Sequence, residues 1–480
     1  MLSIKQFESQ FHPVTLEDLD WIRSLEAACE LTISDQTFGI SFVGSATYQT
    51  QVAGLLGSIV YRYEEAGILY FSYPLGPDPV PAAEEILHYM KHCERPAYMS
   101  PIDFNGRKQL LAMDRDDLLV SPGRDYFDYL YRTEDLRELK GKRYASKRNH
   151  IHRFTENGEW SYEPLDRENF ADCLATLKDW HDRKSQADDD PDLLDEYDME
   201  SLEIHKALNN LDDLGFWGGV IRREGQVIAF SVCEELNPDT MVVHFEKARA
   251  DIQGAFQIIN RETAAHADPR YLYVNREDDL GIPGLRQAKE SYHPFCLRRK
   301  YTAQISDVVF ANENDLSDIV TLWQEAFGDE ENYIREYLGF CTVENALGET
   351  WLNETILAIR RDRRVVSMGS FLEGFVTGLP DRDNSDATSP IPVRYAYAVA
   401  TALSHRNQGL FTRLMNFARD FYNCPIILRP ETESLKDLYS SLGFVDASAY
   451  KLTLTDQLFL RSGGDIIDEP DYTEGLMILF

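Results

Sequence analysis

The chain has 480 residues, enough for about three domains at roughly 150 residues each. Lys and Arg total 48 against 81 Asp and Glu, a formal net charge of −33, so nonspecific adhesion to nucleic acid or an anionic membrane needs a local basic patch. Hydrophobic residues make up 43% of the chain, which supplies packed cores and excludes a disordered polymer.

The opening MLSIKQFESQFHPV lacks the basic start and apolar core of a signal peptide. No apolar run approaches the roughly 20 residues that cross a bilayer. Seven cysteines, with no CxxC pair, argue against a disulfide framework and a cysteine zinc site. They fit a reducing cytosol, so the expected location is the cytoplasm.

Residues 1–135 have the size of one α/β unit. FGISFVG (38–44) and GILYFSYPL (67–75) read as strands, and AAEEILHYMKHC (82–93) as a helix. Residues 136–158 form a basic linker helix. Lys140, Lys142, Arg143, Lys147, Arg148 and Arg153 make one dense basic cluster with His150 and His152. Tyr144, Ile151 and Phe154 form its buried stripe, and Asn157-Gly158 ends it. Such a face suits phosphate: a tRNA acceptor end, CoA or a lipid headgroup.

Residues 159–300 open with a strand and an amphipathic helix carrying Phe170, Cys173, Leu174 and Leu177. The acidic run QADDDPDLLDEYDME (186–200) has neither the alternating ligands nor the glycine of a calcium loop, and reads as a solvated loop entering a helix. A hairpin (218–232), a loop DIQGAF (251–256) and a strand YLYVNRE (271–277) follow. Asp251 opposes a phosphate ligand at that loop. Asn275, Arg276 and Glu277 end a strand, where α/β sheets bind ligands, and Lys289 follows on a helix.

Residues 307–455 repeat the same order. DVVFANENDLSDIVTLWQEAF is a strand and helix, ILAIRRDRRVVSMGS a hairpin, RNQGLF (406–411) a glycine loop, and PIILRPE a strand. A polar excursion, residues 377–392, reads as a surface loop, and residues 456–480 as a tail. In YAYAVATALSHRNQGLFTRLMNFARDF (395–421) a buried strand enters a helix through a loop whose Gly409 permits close approach. Amides at the helix start and the Arg406 charge favour phosphate oxygens. No HExxH or comparable metal spacing occurs, so no metal is expected.

Arg406 and Gly409 resemble the acyl-CoA motif of GCN5-related N-acetyltransferases (GNATs), and LKDLYSSLGF (435–444) resembles that family's second motif. Phe411 departs from the motif's small residue. The resemblance implies a mechanism. Val399, Ala400 and Thr401 pair with the pantetheine arm. Loop backbone from Arg406 through Asn407, Gln408, Gly409 and Leu410 to Phe411 holds the pyrophosphate. A strand N–H stabilises the oxyanion, and Tyr439 protonates the departing thiolate. Glu373 is the candidate base.

LKGKRYASKRNHIHRFTENGEWS (139–161) and YLYVNREDDLGIPGLRQAKESYHP (271–294), with residues 215–262, resemble the family named after the C-terminal part of phosphatidylglycerol lysyltransferases. That family has paired acetyltransferase-like folds and is similar in architecture to Fem-type peptidyltransferases, which use aminoacyl-tRNA. The resemblance covers about residues 1–300. The expected architecture is α/β with tandem GNAT-like domains, mixed central sheets flanked by helices. The expected activity is an acyl-CoA-dependent N-acyltransferase, with acetyl-CoA or another acyl-CoA as cosubstrate and a primary amine as acceptor. Two alternatives stand beside it: an aminoacyl-tRNA-dependent lysyl-type transferase through residues 1–300, and a noncatalytic CoA or amine sensor. Arg143, Lys147, Arg148, Asn275, Arg276, Glu277 and Lys289 are the substrate-site candidates of the first 300 residues.

Overall fold

The computed structural model describes residues 1–187, 191–352, 354–377, 390–447, 451–454 and 476–480. It comprises two compact units: Met1–Leu110 with Pro122–Gln304, and Leu111–Ser121 with Ile305–Phe480. The chain thus leaves the first unit, contributes a short segment to the second, and returns.

The first unit holds two mixed sheets. In one, His12–Pro13, Gln51–Leu55, Ser58–Glu65, Ile68–Phe71, Ala97–Ile102 and Tyr301–Ile305 lie side by side in that order. In the other the order is Cys296–Arg298, Asp128–Arg132, Tyr273–Asn275, Thr240–Ala248, Gln226–Asn237, Trp217–Arg223 and Trp160–Pro164. The expected strand at residues 38–44 is instead the helix Phe38–Gly44. Thr37 caps it by accepting the Ile40 N–H, and Phe38, Phe42 and Val43 bury one helical face among Ile204, Leu208 and Leu214. β-rich local composition gives way to that packing. The acidic run also departs from expectation: the helix Pro191–Asn209 takes up most of it.

The second unit has the order Val309–Phe310, Ile356–Arg361, Arg364–Thr377, Ile391–Thr401, Ile426–Leu428, Met477–Leu479 and Val445–Asp446. The helices Leu316–Phe327 and Leu410–Tyr422 bury Trp323, Leu414 and Met415 against it. Met477–Leu479 fills an interior place in the sheet, a role the sequence did not reveal. Most of the excursion at residues 377–392 lies outside the described residues.

The two units repeat one pattern. A hairpin strand pairs with a long strand, which leads through a glycine turn into a helix and then to a short parallel strand. These are Thr240–Ala248, Gly254, Ala255–His266 and Tyr273–Asn275 in the first unit. They are Ile391–Thr401, Gly409, Leu410–Tyr422 and Ile426–Leu428 in the second.

Residues 111–121 are fastened within the second unit by a buried ion pair. Arg360 Nε donates to Asp315 Oδ1 at 2.8 Å, and its Nη1 donates to the Arg115 carbonyl at 3.0 Å. Asp315 also accepts the Asn312 N–H at 2.8 Å. Removing one partner of such a pair strands the other charge. We expect Arg360→Leu to cost about 3–5 kcal/mol of second-unit stability in urea unfolding, and Asp315→Asn/Arg360→Leu together to cost less than the single change.

Candidate functional site

In the second unit, the strand Ile391–Thr401 pairs along its length with Arg364–Thr377. Its parallel contact with Ile426–Leu428 is confined to Arg394 and Tyr395, so the two strands part beyond that point. Val399, Ala400 and Thr401 lie past the parting. The strand also bulges there: Met368 faces Ala400, yet Ser370 faces Tyr397, and Ala398 takes φ 50°. A bulge reorients backbone N–H groups out of the ladder, which is what an oxyanion needs.

The loop beyond is held by its own side chains. Arg406 Nε donates to the Thr401 carbonyl at 3.2 Å, and Gln408 Nε2 to the Ser404 carbonyl at 3.4 Å. Asn407 has φ 60° and Gly409 φ 73°, so the turn passes through the left-handed region twice. Leu410 anchors the helix start in the core, while Arg406, Asn407, Gln408 and Gly409 are exposed. The Phe411 ring stacks on Tyr439 with centroids 5.2 Å apart and planes at 20°. The bulky residue thus holds Tyr439 against the start of the helix. Burial, then Glu431, raises the Tyr439 hydroxyl pKa above its ordinary value. Glu373 is engaged elsewhere, in a cross-strand ion pair with Arg394 at 2.8 Å.

The two glycine turns differ in one respect that decides what they can bind. A Cβ on Gly409 would meet no described atom within 4 Å. A Cβ on Gly254, at φ 89°, would lie 2.5 Å from the His150 carbonyl oxygen and 2.9 Å from Phe154 Cβ. The helix Ala145–Glu156, which carries the basic cluster, therefore sits on the first unit's glycine turn. Backbone thus closes on that turn, where the space beside Gly409 is open. Asp251 is meanwhile paired to Arg249 at 2.8 Å.

The candidate basic side chains on that helix and just before it are engaged. Arg143 pairs with Asp135 at 3.2 Å. Arg148 Nη1 donates to the carbonyls of Gly141, at 2.8 Å, and Leu139, closing the helix Thr133–Glu138. Lys147 Nζ donates to Ser291 Oγ at 2.6 Å and lies over the Tyr292 ring; burial, then Arg276, lowers its pKa.

Asn275, Arg276, Glu277 and Lys289 do come together, in a buried polar network. Asn275 Nδ2 donates to Asp128 Oδ2 at 2.8 Å. Arg276 pairs with Glu246 at 3.1 Å. Lys289 Nζ donates to the Arg276 carbonyl at 2.6 Å and to that of Asp278; burial, then Arg276, lowers its pKa to about 8. Lys300 lies among Asp128 at 2.6 Å, Asp35 at 2.5 Å and Asp278 at 3.6 Å. Glu277 Oε1 meets His244 Nδ1 at 2.7 Å, and Glu234 Oε2 meets Nε2 at 3.1 Å. Burial opposes charge on His244, but hydrogen bonds to Glu234 and Glu277 outweigh it and push the pKa up to about 9. Burial raises Glu26, Glu203 and Asp278 to about 7 each. Perturbed groups gathered around one interior make it a candidate site.

Sequence reasoning passed over His244, Glu234, Lys300 and Asp128. A histidine inside the apolar strand MVVHFEKA was the available signal. Among the described residues no group of His, Cys, Asp or Glu is placed to hold a metal ion, and no helix is long and apolar enough to cross a membrane.

The family described as "Phosphatidylglycerol lysyltransferase, C-terminal" matches residues 27–304, more than half of the chain. The chain belongs to this family. Membership places it among the acyltransferases, and its fold is the tandem GNAT-like arrangement of mixed sheets flanked by helices. A conserved protein of unknown function from Bacteroides thetaiotaomicron VPI-5482 is 30% identical, with a TM-score of 0.57, over 62% of this chain and 99% of its own. The structure of L-PGS from Bacillus licheniformis is 14% identical, with a TM-score of 0.43, over 60% of this chain and 92% of its own. No curated protein matches the sequence.

The unequal glycine turns give a stability contrast. Gly409→Ala meets only left-handed strain, a cost of about 1–2 kcal/mol. Gly254→Ala adds overpacking against His150 and Phe154, about 1–3 kcal/mol more. Hydrogen exchange of amides in the helices Leu410–Tyr422 and Ala255–His266 reads the two effects separately, and the second should be the larger.

Proposed function

We propose that the second unit is an acyl-CoA-dependent N-acyltransferase, taking an acetyl or other acyl group from its thioester to a primary amine. The observation that carries this reading is the open space over Gly409. A helix start leaves backbone N–H groups without intrahelical partners, and they favour an anion. Arg406, Asn407, Gln408 and Gly409 would present that surface to the diphosphate. Val399, Ala400 and Thr401 would run beside the pantetheine where the strands part. The amine attacks the thioester carbonyl, an N–H at the Ala398 bulge steadies the oxyanion, and Tyr439 gives its proton to the leaving thiolate. With Glu373 paired to Arg394, a base from elsewhere takes the amine's proton.

A second reading concerns the first unit. Its family match and its covered Gly254 turn together favour an acyl donor other than CoA. An aminoacyl ester, as in aminoacyl-tRNA, meets that requirement, since its carrier needs no diphosphate cradle at the helix start.

Purified protein mixed with acetyl-CoA and an amine library, with free thiol followed, tests the main reading. Tyr439→Phe should lower turnover by about 100-fold at saturating acetyl-CoA. Gly409→Glu should raise the KM for acetyl-CoA beyond reach, because a carboxylate then occupies the anion site. Turnover untouched by both changes would move the chemistry elsewhere.

A further inference from the structure

The repeat lets one unit locate the reacting point of the other. In the second unit the long strand bulges at Ala398, just past the step where its parallel neighbour leaves it. In the first unit Thr240–Ala248 stays beside Tyr273–Asn275 only as far as Val242 and Asn275. It then bulges: Val232 faces Phe245 while Cys233 faces Val243, leaving His244 as the extra residue. His244, two residues past the parting, thus sits in its strand's bulge, as Ala398, three residues past the parting, sits in the bulge of the other unit.

Three side chains meet at this step, two from neighbouring strands and one from the turn after a third. His244 is fully buried, with Glu234 from the neighbouring strand behind it. Glu277 comes from just beyond the parallel strand, across the parting. Its side chain is 26% exposed, against 9% for Glu234 and 0% for His244, so it is the end of the row nearest to solvent. Its backbone is fixed at φ 54°. Its N–H donates to Asn275 Oδ1 at 2.8 Å, and its carbonyl accepts the Tyr129 N–H at 3.0 Å.

We propose that Glu277 is the proton-transferring catalytic residue of the first unit, and that His244, braced by Glu234, is its positioning residue. The proposal rests on the aminoacyl-ester reading of that unit. A nucleophile's N–H or O–H attacks the ester carbonyl. A bond forms from the nucleophile to the carbonyl carbon, and the ester C–O bond breaks. Glu277 carboxylate takes the nucleophile's proton and returns it to the departing oxygen, so the enzyme ends as it began. His244 loses no proton. Held between two carboxylates, it keeps Glu277 aimed across the parting. The other charged groups around Glu277 are Glu203, Asp278 and Lys289, and Glu26 stands behind Glu234. Loss of the His244 charge therefore leaves Glu277 among carboxylates with Lys289 as its nearby cation.

The test uses the full chain and radiolabelled lysyl-tRNA, following release of lysine to water between about pH 5 and pH 9. The wild type should accelerate release. Glu277→Gln should slow it by about 100-fold. His244→Gln should lower the rate at saturating lysyl-tRNA by about 10-fold with KM unchanged, because Glu277 is then no longer held in its aim. That split between kcat and KM is one a purely structural histidine would not produce. Circular dichroism of each variant checks the fold, and if Glu277→Gln fails to fold, Glu277→Asp, whose shorter arm loses the His244 contact, carries the same test. Wild-type release with Glu277→Gln at full rate, or with His244→Gln at full rate, overturns the assignment and leaves the aminoacyl-ester reading standing. No release above background by the wild type removes that reading and the proposal with it.

Discussion

A helix that follows a strand begins with amides its own backbone does not satisfy, and something must answer them. This chain builds such a helix start twice, with different surroundings. In the first unit the helix Ala145–Glu156 lies over the turn, with the His150 carbonyl where a side chain or ligand would otherwise sit. In the second unit the turn at Gly409 stays open. Similar Gln-Gly-x-Phe loops thus acquire opposite capacities from a neighbour more than a hundred positions away in one case and from its lack, among the described residues, in the other.

The proposed division of labour follows from that difference. An open turn, a bulged strand and a parted parallel neighbour suit a donor carried on a nucleotide diphosphate. The covered turn leaves the first unit its bulge and its parting but withdraws the cradle. What it has instead is a dense set of titratable groups around His244 and Lys300. Membership in the phosphatidylglycerol lysyltransferase C-terminal family attaches to this first unit, since residues 27–304 carry the match. The basic residues of the covering helix serve structure as well: Arg148 closes a preceding helix, and Lys147 reaches Ser291.

Much of this was legible in the residues themselves. The repeated order of strand, helix, hairpin, glycine loop and strand is written locally, in apolar periodicity and in Gln253-Gly254 and Gln408-Gly409. Asp251 already marked the first loop as a poor phosphate site. Tertiary effects were not legible. Phe38–Gly44 carries strand-like residues and becomes a helix because its Phe38, Phe42 and Val43 face is buried. The covering of Gly254 by His150 needs two distant segments to meet. The bulge at His244 depends on register, which alternation alone does not specify.

One of the two glycine turns is proposed to accept a nucleotide diphosphate, and the other is not. Titration calorimetry with coenzyme A should therefore find one site per chain, abolished by Gly409→Glu. Two sites per chain, or a single site that survives Gly409→Glu, would contradict the proposal.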